Sequence, residues 1–303
     1  MSVSVDDPAV QRRRLRIELR ALRKQAGRTQ RDVADAMDWS PSKLIRIENG
    51  EVRITPNDLR VLLDFYGVRE GGRVDSLVNM ARSSRRDSWA EFKDVHTGPW
   101  LTFLAYESSA SAIRSYDSLF VPGLMQIEEY ALAVYAAGGV MPETAERRWE
   151  ARLRRQSLHE RDEPPTMTFI IDESALHRQV GGSRVMRRQL EYLRQLTEFS
   201  HITVRVVPFA IGAYQSLGRP FVHLEFPEAN DDDLLHYEDH TGGVTMRDEI
   251  DATTKAVEDF IKLEDISLNP TRTQQLLDEL IEAGDKPGTT ATKTATATPK
   301  DKK

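Results

Sequence analysis

Apolar residues near the start of the chain recur at helical spacing, in short segments separated by capping residues and glycines. Leu15, Leu19 and Leu22, for example, lie four and three positions apart and form one apolar stripe. The same spacing continues as far as residue 82. It predicts five short helices, over about residues 9–26, 29–37, 41–49, 56–66 and 70–82.

Two of the predicted helices have strong start signals. Thr29 is followed three residues later by Asp32, a pair that resembles a capping box. Ser40 precedes Pro41, which suits an N-cap followed by a proline at the first helical position. Only the turn residues 38–40 separate the two helices. A helix, a three-residue turn and a second helix predict a helix-turn-helix over residues 29–49.

Beyond a short polar segment at residues 83–88, the pattern changes to strands interspersed with helices. Alternating and β-rich stretches predict strands over about residues 112–116, 166–171, 201–208, 221–226 and 234–238. Helical spacing predicts helices over about 127–137, 142–161, 183–199, 247–263 and 270–283. The expected organisation is a five-helix domain over 9–86 and a mixed α+β domain over 87–283. Residues 1–8 and 284–303 are expected to be disordered, since the tail has no large aliphatic or aromatic residue.

Charge divides along the same boundary. Residues 1–86 carry 18 Lys and Arg against 12 Asp and Glu, whereas the remaining residues carry 24 against 36. A basic module attached to an acidic body is typical of a nucleic-acid-binding protein. A basic face that is only solvated would give the same numbers, so charge alone does not decide.

The helix-turn-helix segment resembles a known family. Residues 29–50, TQRDVADAMDWSPSKLIRIENG, are similar to the XRE domain of the phage-repressor and Cro-like type at nearly every fixed position. The resemblance implies a five-helix, lambda-repressor-like DNA-binding domain. Asp38 stands where the family usually has a turn glycine, and aspartate tolerates the left-handed conformation better than most residues.

The resemblance also implies which residues meet DNA. The third helix would lie in the major groove and present Ser42, Lys43 and Arg46 to base edges. Gln30 at the start of the second helix and Arg53 in the loop after the third would contact phosphates. Each of these could instead be an ordinary exposed polar side chain.

Two neighbouring residues are interpreted differently. Pro41 stands where the family often has a base-reading glutamine, so one base contact is expected to be missing. Glu48 is expected to hold the domain together through local hydrogen bonds rather than to contact DNA.

The second half resembles the domain of unknown function that follows the helix-turn-helix in actinobacterial regulators of the WhiJ-like group. The resemblance rests on ordered motifs that include Val121–Gln126, Asp172–Leu176, Val206–Phe209 and Gly242-Gly243. It implies a regulator that is controlled by a partner, with an antitoxin-like role as one form. A small acidic protein encoded nearby is the partner that this group implies.

No catalytic, cofactor or metal site is expected in the body. The chain has no cysteine, and the Walker, Rossmann and nucleophile-elbow glycine patterns do not occur in it. His236, Glu238 and His240 alternate and would share one strand face, which a metal site needs, but an exposed edge strand explains them better. The paired acids Asp172 and Glu173 are expected to end a strand and begin a helical turn.

These observations favour a sequence-specific, DNA-binding transcriptional regulator whose C-terminal domain senses a protein partner or a small ligand. The alternative is an antitoxin-like module or an enzyme that uses the helix-turn-helix for autoregulation or docking. Double-stranded operator DNA is the expected partner, and a homodimer is expected because one module contacts too few bases. The first residues are acidic and no long apolar run occurs, so a cytoplasmic protein without a membrane span is expected.

Overall fold

The fold is taken from a computed structural model, which describes residues 8–49, 52–83, 88–227, 233–238 and 244–284. An N-terminal helical region containing the helix-turn-helix is followed by a domain that combines a mixed sheet with helices. The expected domain boundary at 86/87, the expected disorder of residues 1–7 and the tail from residue 285 lie outside the described residues. Pro8 and Gly284 were expected to be disordered. Pro8 instead begins the first helix, because proline suits a first helical turn, and Gly284 is the last residue of the last helix.

The N-terminal region consists of the five expected helices. They are α1 (Pro8–Gln25), α2 (Gln30–Ala36), α3 (Pro41–Glu48), α4 (Pro56–Phe65) and α5 (Gly71–Ser83). Their apolar stripes meet in one core, in which Leu19, Val33, Leu44 and Leu62 are almost completely buried. The C-terminal two thirds of α1 belong to this core.

The second domain is built on a six-stranded sheet. Its elements follow in the order α6 (Gly98–Ser109), β1 (Ala112–Asp117), α7 (Glu128–Ala137), α8 (Pro142–Gln156), β2 (Thr166–Asp172), α9 (Glu173–His177), α10 (Ser183–Leu196), β3 (Ile202–Val207), β4 (Phe221–Glu225), β5 (Leu234–Glu238), β6 (Val244–Arg247), α11 (Ile250–Ile266) and α12 (Pro270–Gly284). The strand order is β3-β2-β1-β4-β5-β6. The first three strands run parallel, and β4, β5 and β6 are added antiparallel.

Helices cover both faces of this sheet. On one face, Phe260 and Leu263 of α11 pack against Tyr116, Ile170 and other strand residues. The opposite face packs against α6, α10 and α12 in the largest core of the molecule. Ala9 and Val10 of α1 belong to that second core, so α1 extends from the helix-turn-helix into the body.

Several expectations for the body need correction. Strand β6 and helix α6 were not predicted, and α11 begins at Ile250 rather than near residue 247. Helix α8 ends at Gln156 and continues as a 3-10 turn to Glu160. Leu153 lies four residues after Trp149 but is 56% exposed, because α8 buries Ala145, Ala151 and Arg155 instead.

Candidate nucleic-acid interface

Local capping fixes the two helices of the helix-turn-helix. The Thr29 hydroxyl accepts from the Asp32 backbone N–H at 3.1 Å, and the Asp32 carboxylate accepts from the Thr29 N–H at 2.9 Å. Ser40 caps α3 by accepting from the Lys43 N–H, with Pro41 at the first helical position. Asp38 has a φ of +53°, so the turn uses the left-handed conformation that the sequence predicted. The predicted capping box and turn are confirmed.

A buried carboxylate then holds α3 to the rest of the domain. Glu48, at the last turn of α3, is 2% exposed. Arg23 of α1 donates to its two oxygens at 2.6 and 3.0 Å, and Gln30 of α2 donates to it at 2.8 Å. The hydrogen bond to Glu48 is also the main reason that the pKa of Arg23 is raised. The expected structural role of Glu48 is confirmed, and it joins three helices.

These hydrogen bonds to Glu48, which we call the Glu48 clamp, also restrict Gln30, one of the two predicted phosphate contacts. Its side-chain amide carries two N–H donors, and one of them is held by Glu48. Among the described residues, the second N–H has no partner. Gln30 therefore can offer one donor to a phosphate while the clamp stays intact, and its contact with DNA remains a prediction.

The three predicted base-reading residues differ in how the protein holds them. Ser42 and Arg46 are exposed on α3. The Lys43 ammonium lies 4.0 Å from the centre of the Trp39 ring and 3.4 Å from the Asp58 carboxylate. Reaching a base edge would require Lys43 to leave both partners.

Arginines of α1 also contact the C-terminal end of α3. The Arg16 guanidinium donates to the Asn49 carbonyl at 2.9 Å, and Arg20 approaches the Asn49 side chain at 3.5 Å. Positive charge at a helix C-terminus is favourable because the last carbonyls and the helix dipole are negative there. Arg53, the second predicted phosphate contact, is exposed in the loop that follows.

Arginines of α1 also connect the helix-turn-helix region to the body. Arg16 forms an ion pair with Asp248, between β6 and α11. Arg13 is 1% exposed, lies 4.9 Å from the Phe226 ring and donates to the Asp233 carbonyl at 2.9 Å. In the sequence these arginines only flank the apolar stripe of α1. No local signal distinguishes them from Arg20, because their partners lie more than 200 residues away.

Comparison with known families gives two matches. A helix-turn-helix domain model matches residues 14–77. A second model, for a domain of unknown function (DUF5753), matches residues 100–279, which is more than half of the chain. The chain belongs to the DUF5753 family. Comparisons with curated proteins and with solved structures gave no match.

The two matches divide this DUF5753 member as the fold does. The helix-turn-helix match extends from within α1 into α5, and the DUF5753 match extends from α6 into α12. The helix-turn-helix match indicates a DNA-binding regulator. None of the described helices is long and apolar enough to span a bilayer.

His236 of the DUF5753 domain lies in a different environment from the one that the sequence predicted. His236 was expected on an exposed edge strand, but β5 lies between β4 and β6 and the imidazole is buried, with its ring stacked 3.9 Å from that of Phe103. Burial lowers the pKa of His236 to about 3, helped by the charge of Arg155. The side chain of Glu238 and all of His240 lie outside the described residues. The exposed-edge interpretation is therefore wrong, because a further strand, β6, covers β5.

A different group of possible metal ligands lies beside it. One ligand atom each from His223, Glu225 and Asp233 lies within 4.8 Å of the others. The His223 ring, however, contacts Asp233 at 3.0 Å, and Arg114 forms an ion pair with Glu225. The side chains of this group are thus paired with one another or with Arg114.

The paired acids act as the sequence predicted. Asp172 ends β2 and caps α9, where its carboxylate accepts from the Ser174 N–H at 2.9 Å. Its other oxygen accepts from the Tyr214 hydroxyl at 2.5 Å, and that hydroxyl lies 2.7 Å from the hydroxyl of Tyr116. Burial and the hydrogen bond to Asp172 raise the pKa of Tyr214 far above its usual range. This hydroxyl is therefore a hydrogen-bond donor and remains protonated.

Proposed function

We propose that this protein is a cytoplasmic, sequence-specific transcriptional regulator of the XRE type, whose α3 reads operator DNA in the major groove. The observation that carries the proposal is the way α3 is presented. Its inner face is buried, its start is capped by Ser40 and its end is clamped through Glu48, while Ser42 and Arg46 remain exposed. A reading helix needs this combination of fixed position and accessible side chains.

The phosphate contacts would lie on both sides of that helix. Gln30 precedes it and keeps one amide N–H for an oxygen, and Arg53 follows it in an exposed loop. Contacts to phosphates fix the position of a protein on the duplex, whereas contacts to base edges supply the specificity. Arg46 is thus assigned to reading and Arg53 to positioning.

We also propose that the protein binds DNA as a homodimer whose contact lies in the body, or between the body and α5. An eight-residue reading helix covers too few base pairs for useful specificity, and paired half-sites about one turn apart solve that problem. Helix α11 supports a contact in the body. It exposes Ile250 by 69% and Ile261 by 51%, three helical turns apart and so on one face.

The body is assigned to regulation rather than to catalysis. Asp172, one of its paired acids, is engaged in capping α9 and in binding Tyr214. The ion pairs of Arg13 and Arg16 with Asp248 supply a direct path from the body to α1, and Arg16 continues that path to the end of α3. A change in the body would therefore reach the reading helix.

Membership of the WhiJ-like group, with a small acidic protein as partner, is the finer form of the proposal. It rests on the motifs quoted above, and the antitoxin-like role is the alternative that it leaves open. Capture of proteins from an extract of the native cell by the tagged full chain tests it. Recovery of a short acidic protein supports this form, and recovery of a toxic enzyme that the chain neutralises supports the alternative.

Selection from a pool of random duplexes tests the proposed function itself. The full chain should enrich a two-part motif with half-sites about one helical turn apart. Arg46→Ala should lose that enrichment, whereas Arg184→Ala, which removes an exposed arginine from α10, should keep it. No enrichment by the unaltered chain at low salt would contradict the proposed function.

A further inference from the structure

Helix α3 carries an exposed isoleucine beside the predicted base-reading residues. Ile45 is 39% exposed, whereas Leu44 and Ile47 of the same helix are almost completely buried. In the part of the chain that the structure describes, Ile45 belongs neither to the core of the N-terminal region nor to the partly buried residues packed against that core. Its side chain is therefore available to a partner outside the domain.

Ile45 lies on the same side of α3 as the predicted reading residues. Ser42 precedes it by three positions, Arg46 follows it directly, and both are exposed. Residues three and four apart are neighbours on the surface of a helix. Pro41, four positions before Ile45, is exposed as well. The outward face of α3 thus contains an apolar strip, formed by Pro41 and Ile45, beside its polar groups.

The direction of the side chain places this strip at the start of α3. The side chain of a helical residue leans toward the N-terminus of its helix. The surface that Ile45 covers therefore lies over the first turn of α3, on the side of Pro41. In a helix-turn-helix, the N-terminal residues of the reading helix contact the base edges. Ile45 is thus directed toward the part of α3 that would enter the major groove.

The chemistry of the side chain selects one base. Isoleucine has no hydrogen-bonding group, and the feature of the major groove that matches it best is the C5 methyl group of thymine. Contact between two apolar groups removes both from water, which is favourable. A β-branched side chain is also stiff in a helix, so it loses less freedom on contact than a lysine does.

We propose that Ile45 reads a thymine in each operator half-site by packing against its C5 methyl group, with Pro41 extending the contact. This inference rests on the proposed function and adds to it a specificity-determining residue and the base that it selects. It also gives Pro41 a role. Where the related family often reads a base through the hydrogen bonds of a glutamine, this chain reads through an apolar contact.

Deoxyuridine is the probe, because it differs from thymidine only in lacking the C5 methyl group. Each thymine of the duplex selected by the full chain is replaced by uracil in turn, and the affinity is measured. Burial of one methyl group contributes about fourfold in affinity, so one replacement in each half-site should weaken binding of the unaltered chain by about that factor. Ile45→Ala should bind the duplex with uracil at that position as tightly as it binds the unmodified duplex.

The methyl group can also be restored on a different base. Replacing the thymine–adenine pair at that position by cytosine–guanine should weaken binding of the unaltered chain. A 5-methylcytosine there should recover about fourfold in affinity, because its methyl group also lies in the major groove. Ile45→Ala should not distinguish cytosine from 5-methylcytosine at that position.

A matched substitution separates this contact from a general effect on the domain. Val61 of α4 is 59% exposed, and Val61→Ala should keep the full dependence on the methyl group. Ile45→Ala leaves α3 folded, because the replaced side chain is exposed and alanine favours a helix.

Two results would overturn the inference. If no thymine showed a loss with uracil that Ile45→Ala abolishes, Ile45 would not contact a methyl group. If Ile45→Ala kept the full dependence on the methyl group but dissociated the dimer in sedimentation, Ile45 would be a contact between protein chains. Failure of the unaltered chain to select any duplex at low salt would instead contradict the proposed function, and this inference with it.

Discussion

Replacing Glu48 by glutamine removes the charge that joins α3 to α1 while keeping the size of the side chain. Glu48 is buried and receives two hydrogen bonds from Arg23 and one from Gln30. Breaking a buried ion pair costs about 3–5 kcal/mol. The Arg23 side chain keeps 14% of its exposure and can recover some hydration, and glutamine retains one acceptor. We therefore expect the free energy of unfolding of the N-terminal domain to fall by about 2–3 kcal/mol.

A matched substitution on α1 provides the control. Glu18 pairs with Arg73 of α5 at 3.0 Å, but both side chains are about 40% exposed or more. Exposed pairs of this kind contribute about 0.2–1 kcal/mol. Glu18→Gln removes the same charge from the same domain and should therefore lower its stability by less than about 1 kcal/mol.

Urea unfolding measured by the ¹⁵N indole resonance of Trp39 reports on this domain alone, since Trp39 packs against its core. The midpoint should fall clearly for Glu48→Gln and little for Glu18→Gln, with the slope against urea unchanged. Equal losses in the two variants would refute the reasoning that burial makes the Glu48 clamp strong.

Three further predictions concern charge elsewhere. The pKa of His236 falls from 6.5 to about 3 on folding, so the folded state binds fewer protons below pH 6.5 and loses stability as the pH falls; in His236→Phe, unfolding measured across that range should depend less steeply on pH. Arg53→Ala should weaken binding to operator and scrambled duplexes alike and lower the slope of log affinity against log salt by about one; an unchanged slope would contradict a phosphate contact. Asp248→Asn should speed hydrogen exchange in residues 8–16, where the ion pairs to Arg13 and Arg16 are lost. The exposed Asp251→Asn is its control, and equal exchange in the two variants would argue against the path from the body to α1.

The sequence predicted the helix-turn-helix well because its signals are local. The caps at Thr29 and Ser40 and the left-handed Asp38 each depend on residues within three positions. Helix α6 was missed for the opposite reason. It is apolar on several sides, with Phe103, Leu104 and Ala105 buried in succession, so it shows no stripe that would mark a helix.

The candidate site was predictable in its positions but not in its contacts. The exposure of Ser42 and Arg46 follows from helical spacing, since Leu44 and Ile47 face the core. The contact of Lys43 with Asp58 depends on how α4 packs. The burial of Arg13 likewise depends on the body, and no spacing within α1 encodes it.

Operator variants bound by Arg46→Ala test most directly whether α3 is the reading helix. Affinity would be measured for the selected duplex and for each single-base-pair change in one half-site, with Arg184→Ala as the control. We predict that Arg46→Ala costs about 1–3 kcal/mol on the selected duplex and removes the preference at one base pair per half-site, while the ranking at other positions stays the same. If Arg46→Ala weakened every duplex equally and left the full ranking unchanged, α3 would not be the element that reads the operator.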